Sequence, residues 1–192
     1  MKKLLFLFLS VIAFYSAYAQ QEHLTFKGIP IDGQAGPFVE KLKQQGFTVK
    51  QTLKDGDVVM DGIFANNDCE IFILVTPKTK TIWKIGIFNK RKYTNWSSIK
   101  MDYDELKNLY TQKYGNPSHD YHFFSSPYEL GDGYEISALK LDKCTYYTAY
   151  DVKSGYISIK MSSTCQIIMS YEDALNSALK TIESEKEALE DI

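Results

Sequence analysis

The chain has 192 residues, 44% of them hydrophobic and 24% charged, and its net charge is −2. That apolar content suffices for a packed core without staples, and three cysteines are too few, and odd in number, for a disulfide framework. The near-neutral balance argues against nucleic acid as a general partner.

The first stretch, MKKLLFLFLSVIAFYSAYAQ, joins a basic start at Lys2 and Lys3 to an apolar run from Leu4 to about Phe14. It closes on Ala17-Tyr18-Ala19, the small-x-small pattern of a signal-peptidase site. The run is shorter than the roughly 20 apolar residues of a spanning helix. No cysteine follows it before Cys69, which argues against a lipid anchor. Residues 1–19 therefore read as a signal peptide. The mature chain, 20–192, is expected to be a single α+β domain, periplasmic or secreted, with no membrane span. Loss of Lys2 and Lys3 takes its charge to −4.

In LTFKGIPIDGQAGPFVEKLKQQGF, Gly28, Gly33 and Gly36 match neither the P-loop nor the dinucleotide fingerprint. HLTF reads as a short strand or extended lead, and GIP and DGQAG as turns. Pro37 then sits in the first turn of a helix whose apolar face is Phe38, Val39 and Leu42 and whose stop is Gly46. Four strands follow, FTVKQTL, DVVMDGIFAN, CEIFILVT and TIWKIGIFN, and connections as short as KDG, ND and PKTK imply antiparallel hairpins. Trp83, Ile85 and Ile87 share a buried face, with Lys84 on the other.

Asp102 and Glu105 have capping-box spacing for a second helix, with a stripe of Leu106, Leu109, Tyr110 and Tyr114 and a stop at YGNP. Strands resume as DYHFF, YEISALKL, CTYYTAYDV, GYISIKM and CQIIMSY. In the last pair Ile157, Ile159 and Met161 are expected opposite Cys165, Ile167 and Met169, so that Ile159 faces Ile167. A final helix is expected from about Glu172 to Leu189, with Ala174, Leu175, Ala178, Leu179 and Ile182 inward. The whole reads as α+β: an antiparallel sheet of two helix-plus-four/five-strand units, with helices on one face and a C-terminal helix. The possible halves are 20–95 and 96–192, a weak repeat of architecture rather than of letters.

This order is similar to the tandem helix-plus-four-strand β-lactamase-inhibitor-protein-like fold. FKGIPIDG, the helix ending in GF, and YGNP resemble the small exported domains of unknown function common in Gram-negative gut bacteria. The resemblance spans most of the mature chain, rests on structural motifs and carries no activity with it.

For chemistry the sequence offers little. His119 and His122, three apart on a strand, point to opposite faces, so with Asp120 they make no metal site; no cofactor is implied. Cys69, Cys144 and Cys165 lie in or beside apolar strands, the setting of inert thiols; if any two pair, Cys144 with Cys165 is the choice. Asp102 and Asp104 read as a helix cap, and no nucleophile elbow occurs.

Two features suggest binding. Tyr121, Phe123, Phe124, Tyr128 and Tyr134 gather in and around the loop-building SSPYELGDG. Exposed, they would anchor a partner; the plainer account is that they plug the end of the sheet. Lys90, Arg91 and Lys92 lie in a stretch, Lys78 to Lys113, with nine basic and three acidic residues. They form either an anionic-ligand patch or solvated strand ends. The reading is a non-catalytic envelope module for a protein, peptide or glycan, with Tyr121, Phe123, Tyr128, Tyr134, Lys90, Arg91 and Lys92 as candidate contacts. The alternative is an envelope hydrolase with an unrecognised site. A shallow sheet face rimmed by Tyr, Phe and Lys would favour binding, and a deep pocket joining His to Cys or a carboxylate would favour the enzyme.

Overall fold

The computed structural model describes residues 22–192, so the signal-peptide reading lies outside the described residues. It is an α+β structure. A two-stranded ribbon of β1 (Thr25–Phe26) and β2 (Ile29–Pro30) precedes helix α1 (Ala35–Gln44). The turn between the two strands is Lys27-Gly28, both at positive φ (51° and 78°), so Ile29 and Pro30 of the expected turn GIP belong to the ribbon. Strands β3 (Thr48–Thr52), β4 (Val58–Phe64), β5 (Asn67–Val75) and β6 (Ile82–Asn89) follow. Helix α2 (Trp96–Tyr114), β7 (His119–Phe124), α3 (Glu135–Lys140), β8 (Cys144–Val152), β9 (Gly155–Met161), β10 (Ile167–Asp173) and α4 (Ala174–Glu190) complete the chain.

Strands β3 to β10 form one antiparallel sheet in the order β3-β4-β5-β6-β10-β9-β8-β7. Two meanders, each entered from its outer edge, therefore meet at the sheet centre, where Ile87 pairs with Met169 and Gly86 with Ser170. One face carries the core row Met60, Ile71, Ile87, Met169 and Ile159, linked residue to residue by the strand register. A single contiguous cluster joins this row to Phe38 and Leu42 of α1 and to Ile99, Tyr103, Leu106 and Tyr110 of α2.

The tyrosines explain much of that packing. Tyr103 Oη lies 2.6 Å from Thr148 Oγ1, Tyr171 donates to Tyr110 over 2.8 Å, and Tyr150 Oη lies 2.9 Å from Thr111 Oγ1. Each ring fills the helix–sheet layer while its hydroxyl finds a partner, which is how tyrosine is buried without an orphaned polar atom.

Several expectations are corrected. Helix α2 begins six residues before Asp102: Asn95 caps it, its side chain accepting from Ser98 N over 2.9 Å. Asp102 instead accepts from Tyr93 Oη (2.6 Å) and Arg91 (2.8 Å), and Asp104 pairs with Lys100 one turn earlier, so neither acid is a cap. YEISALKL is not a strand: Glu135–Lys140 is helical, consistent with its Glu, Ala, Leu and Lys, and Glu135 accepts from Gly131 N over 3.0 Å. Ile159 faces Met169 rather than Ile167, which pairs with Met161. On α4, Ala174, Ala178 and Ile182 are exposed, and the side turned inward carries the polar residues Asn176 and Glu183. Asn176 Nδ2 donates to Ile31 O and Ile82 O, so hydrogen bonds rather than an apolar stripe seat this end of the helix. The cysteines need no correction: all three are free and buried, as their apolar-strand setting implies, and the conditional Cys144–Cys165 pair does not form.

Candidate binding face

Alternate residues of the central strands point away from the core row. The register sets them in three parallel rows across β5, β6, β10, β9 and β8. The middle row is Phe72, Gly86, Ser170, Ser158 and Ala149. On one side runs Glu70, Phe88, Ile168, Lys160 and Tyr147; on the other, Leu74, Lys84, Glu172, Tyr156 and Asp151. The outer rows are four residues apart along each strand, about 13 Å.

Small side chains in the middle row make this geometry a basin. Gly86, Ser158 and Ser170 form its floor, and the two serine hydroxyls lie 2.9 Å apart, each satisfying the other. At one end Phe72 and Phe88 meet edge to face, centroids 4.9 Å apart. At the other, Tyr147 Oη and Tyr156 Oη lie 2.6 Å apart, a rail joining the two outer rows. Burial, reinforced by the Tyr147 hydroxyl, pushes the Tyr156 phenol above its ordinary pKa, so Tyr156 keeps its proton. Ile168 and Lys160 form one side, and the Lys84–Glu172 ion pair, 2.5 Å, forms the other. This open hollow has a volume of about 470 Å³, and every residue lining it comes from a strand.

A larger hollow, about 760 Å³, runs along the outside of α2 beside Trp96, Met101 and Leu109. All its walls belong to that one helix, so nothing converges on a ligand there, and the sheet basin is the better-formed site.

The sequence-based candidates are dispersed. Tyr121 and Phe123, about half exposed (49% and 50%), lie on edge strand β7 on the basin's side of the sheet. Tyr121 stacks on Tyr147, centroids 6.3 Å apart and planes 20° apart, and so extends the basin rim. Tyr128 is half-buried and packs against the core, whereas Tyr134 is 64% exposed just before α3. The five aromatics thus do not form one loop. Lys90 pairs with Asp61 (2.9 Å) and Asp68 (3.3 Å) on the basin side; Arg91 is drawn to α2 by Asp102 and lies over the Tyr93 ring; Lys92 is exposed. The basic triplet is therefore divided between two surfaces. The residues that sequence reasoning missed are Gly86, Ser158 and Ser170, because nothing local marks a small residue as the floor of a distant strand pairing.

Burial pushes the Cys69 thiol to about 11 and the Cys144 thiol to about 12, so neither is a thiolate nucleophile at neutral pH. His122 stacks on Tyr146 at 4.6 Å and meets Asp120 on the core side, while His119 stacks with Tyr121 on the basin side. Among the described residues no three His, Cys, Asp or Glu side chains gather as metal ligands, and no helix is long and apolar enough to cross a membrane.

No protein-family model, no curated protein and no solved structure matches the chain.

Proposed function

We propose that the protein is an exported, non-catalytic binding module of the cell envelope, and that it holds a polypeptide partner against the basin face of its sheet. The observation that carries this reading is the basin floor. Gly86, Ser170 and Ser158 are three small residues in register on adjacent strands, walled by Phe72, Phe88, Tyr147 and Tyr156. A space of about 470 Å³ takes two or three large side chains. Aromatic walls around a desolvated floor are the setting in which interface hot spots form. Tyr121, Phe123 and Ile63, all exposed on the same side, supply a wider contact surface than a small ligand needs. Lys160 on the rim suits a partner that presents an acidic side chain beside its apolar anchor.

The same reading includes helices gathered on the opposite face and two repeated helix-plus-four-strand units, as in the β-lactamase-inhibitor-protein-like fold. Support comes from the element order and from β6 and β10, the fourth strand of each meander, pairing at the centre.

The test is affinity capture from the organism's cell-envelope extract with wild-type protein, Gly86→Trp and Ile182→Ala. A β-carbon at Gly86 meets only ordinary contacts, 3.4 Å to the Phe88 ring and 3.8 Å to Phe72 Cβ, so the indole enters the basin rather than the core. A partner retained by wild type and Ile182→Ala but lost with Gly86→Trp is the expected result. Retention by all three would overturn the assignment to the basin.

A further inference from the structure

The sheet has two edges, β3 and β7, and of the two only β3 carries a bulge and a lysine. Natural edge strands are blunted by lysine, proline, bulges or brevity, because their free N–H and C=O groups invite another strand. Strand β3 has such a device: its pairing with β4 shifts between Val49 and Gln51, and Lys50 sits in the irregularity. Strand β7, His119–Phe124, has no bulge and no lysine; its one acid, Asp120, lies on the core side, held by Lys107 and Thr148. It pairs with β8 without a shift over all six residues and contains no Lys, Pro or Gly.

The direction of its free backbone groups follows from the ladder. Ser125 N donates to Lys143 O over 2.8 Å, one step beyond the Phe124–Cys144 pair. Antiparallel bonds alternate, so Tyr121 and Phe123 spend their N–H and C=O on β8. Asp120, His122 and Phe124 point theirs out of the sheet, and no turn or loop among the described residues takes them up.

We infer that β7 pairs antiparallel with β7 of a second copy, joining two eight-stranded sheets edge to edge about a two-fold axis at Tyr121. The sequence is self-complementary in one register only. With Tyr121 opposite Tyr121, Asp120 faces His122 and His122 faces Asp120, and both pairs use the outward N–H and C=O groups. On the other side Tyr121 meets Tyr121, and His119 meets Phe123. A slip of two residues one way sets Asp120 against Asp120, and the other way sets His122 against His122. A slip of one residue mismatches the faces. Burial holds the His122 imidazole below its ordinary pKa, and Asp120 already accepts from Lys107 and Thr148 in its own chain, so the preference rests on a carboxylate acceptor opposite an imidazole donor, twice per interface; two carboxylates opposite each other repel, and two imidazoles gain no such bond. The seam takes up Tyr121 and Phe123 at the outer rim of the basin face and leaves its floor of Gly86, Ser158 and Ser170 untouched, so the test below does not depend on what the basin holds. An interface this small belongs with weak, reversible associations.

Sedimentation equilibrium of the purified protein over a concentration series tests it, with amide hydrogen exchange as a readout that needs no mutation. Wild type is expected to show a reversible monomer–dimer equilibrium, and exchange at Asp120 and His122 should slow as the dimer fills. His122→Pro removes one outward donor per copy while sparing every bond to β8, and should weaken the dimer about tenfold or more. His122→Asp should also abolish it by placing Asp opposite Asp120, and His122→Lys should preserve it. A wild-type protein that stays monomeric to about 1 mM, or a dimer equally tight in His122→Pro and His122→Asp, would overturn the inference.

Discussion

Ser158 on β9 and Ser170 on β10 pair across the sheet with their hydroxyl oxygens 2.9 Å apart, both nearly shut off from solvent beneath the basin. Either alanine substitution alone strands the other hydroxyl and should cost about 1–3 kcal/mol. Removing both should cost less than the sum of the singles. Chemical denaturation of the two single variants and the double variant checks this through the coupling energy.

Glu183 clamps α4 to the β5–β6 turn. Its carboxylate accepts from Thr79 Oγ1 (2.6 Å), Lys78 N (2.7 Å) and Thr79 N (3.1 Å). Burial alone would raise its pKa, but the Thr79 hydroxyl and the two backbone donors outweigh it and hold the group near 2 against an ordinary 4.5. A depressed carboxylate contributes stability that is fully present above the unfolded value and is lost as pH falls toward the folded one. Stability should therefore decline between about pH 4.5 and pH 2, and Glu183→Gln should flatten that decline while lowering stability at pH 7. Urea midpoints at stepped pH give the comparison.

Ile159 is fully buried in the core row opposite Met169. Ile159→Ala should cost about 2–5 kcal/mol, the range for emptying such a site. A loss below about 1 kcal/mol would mean that the core row is wrongly placed.

Tyr121 and Tyr128 should respond oppositely to truncation. Tyr121 is half exposed on β7, so Tyr121→Ala should leave stability within about 0.5 kcal/mol. Tyr128 packs against the core, and Tyr128→Ala should cost more, about 1–3 kcal/mol. Thermal melts of the two variants distinguish a rim residue from a structural one.

The hairpins were legible because apolar alternation and short turns are local signals. Ile157, Ile159 and Met161 do face the core. Their partners differ by two positions from the expected ones because Cys165 is not part of the strand. It sits at φ 55° in a loop closed by Ser162 N donating to Gln166 O, which delays β10 to Ile167. Helix α3 was hidden because six residues of mixed apolar pattern fit either period. The inward side of α4 was misread because Asn176 and Glu183 are held by partners 94 and 104 or more residues away, Ile82 and Thr79. The basin was illegible for the same reason: Gly86 and Ser170 become neighbours only through the crossover that sets β10 beside β6.

The most direct test of the basin as the binding surface is site-specific photo-crosslinking in the cell-envelope fraction. A photoreactive residue replaces Phe88, on the basin wall, or in a separate variant Ile182, on the outer side of α4. A discrete polypeptide adduct from position 88, absent from position 182 and suppressed by adding Gly86→Trp, is the result the account predicts. An adduct that forms at 182 and not at 88, or one at 88 that survives Gly86→Trp, would contradict it.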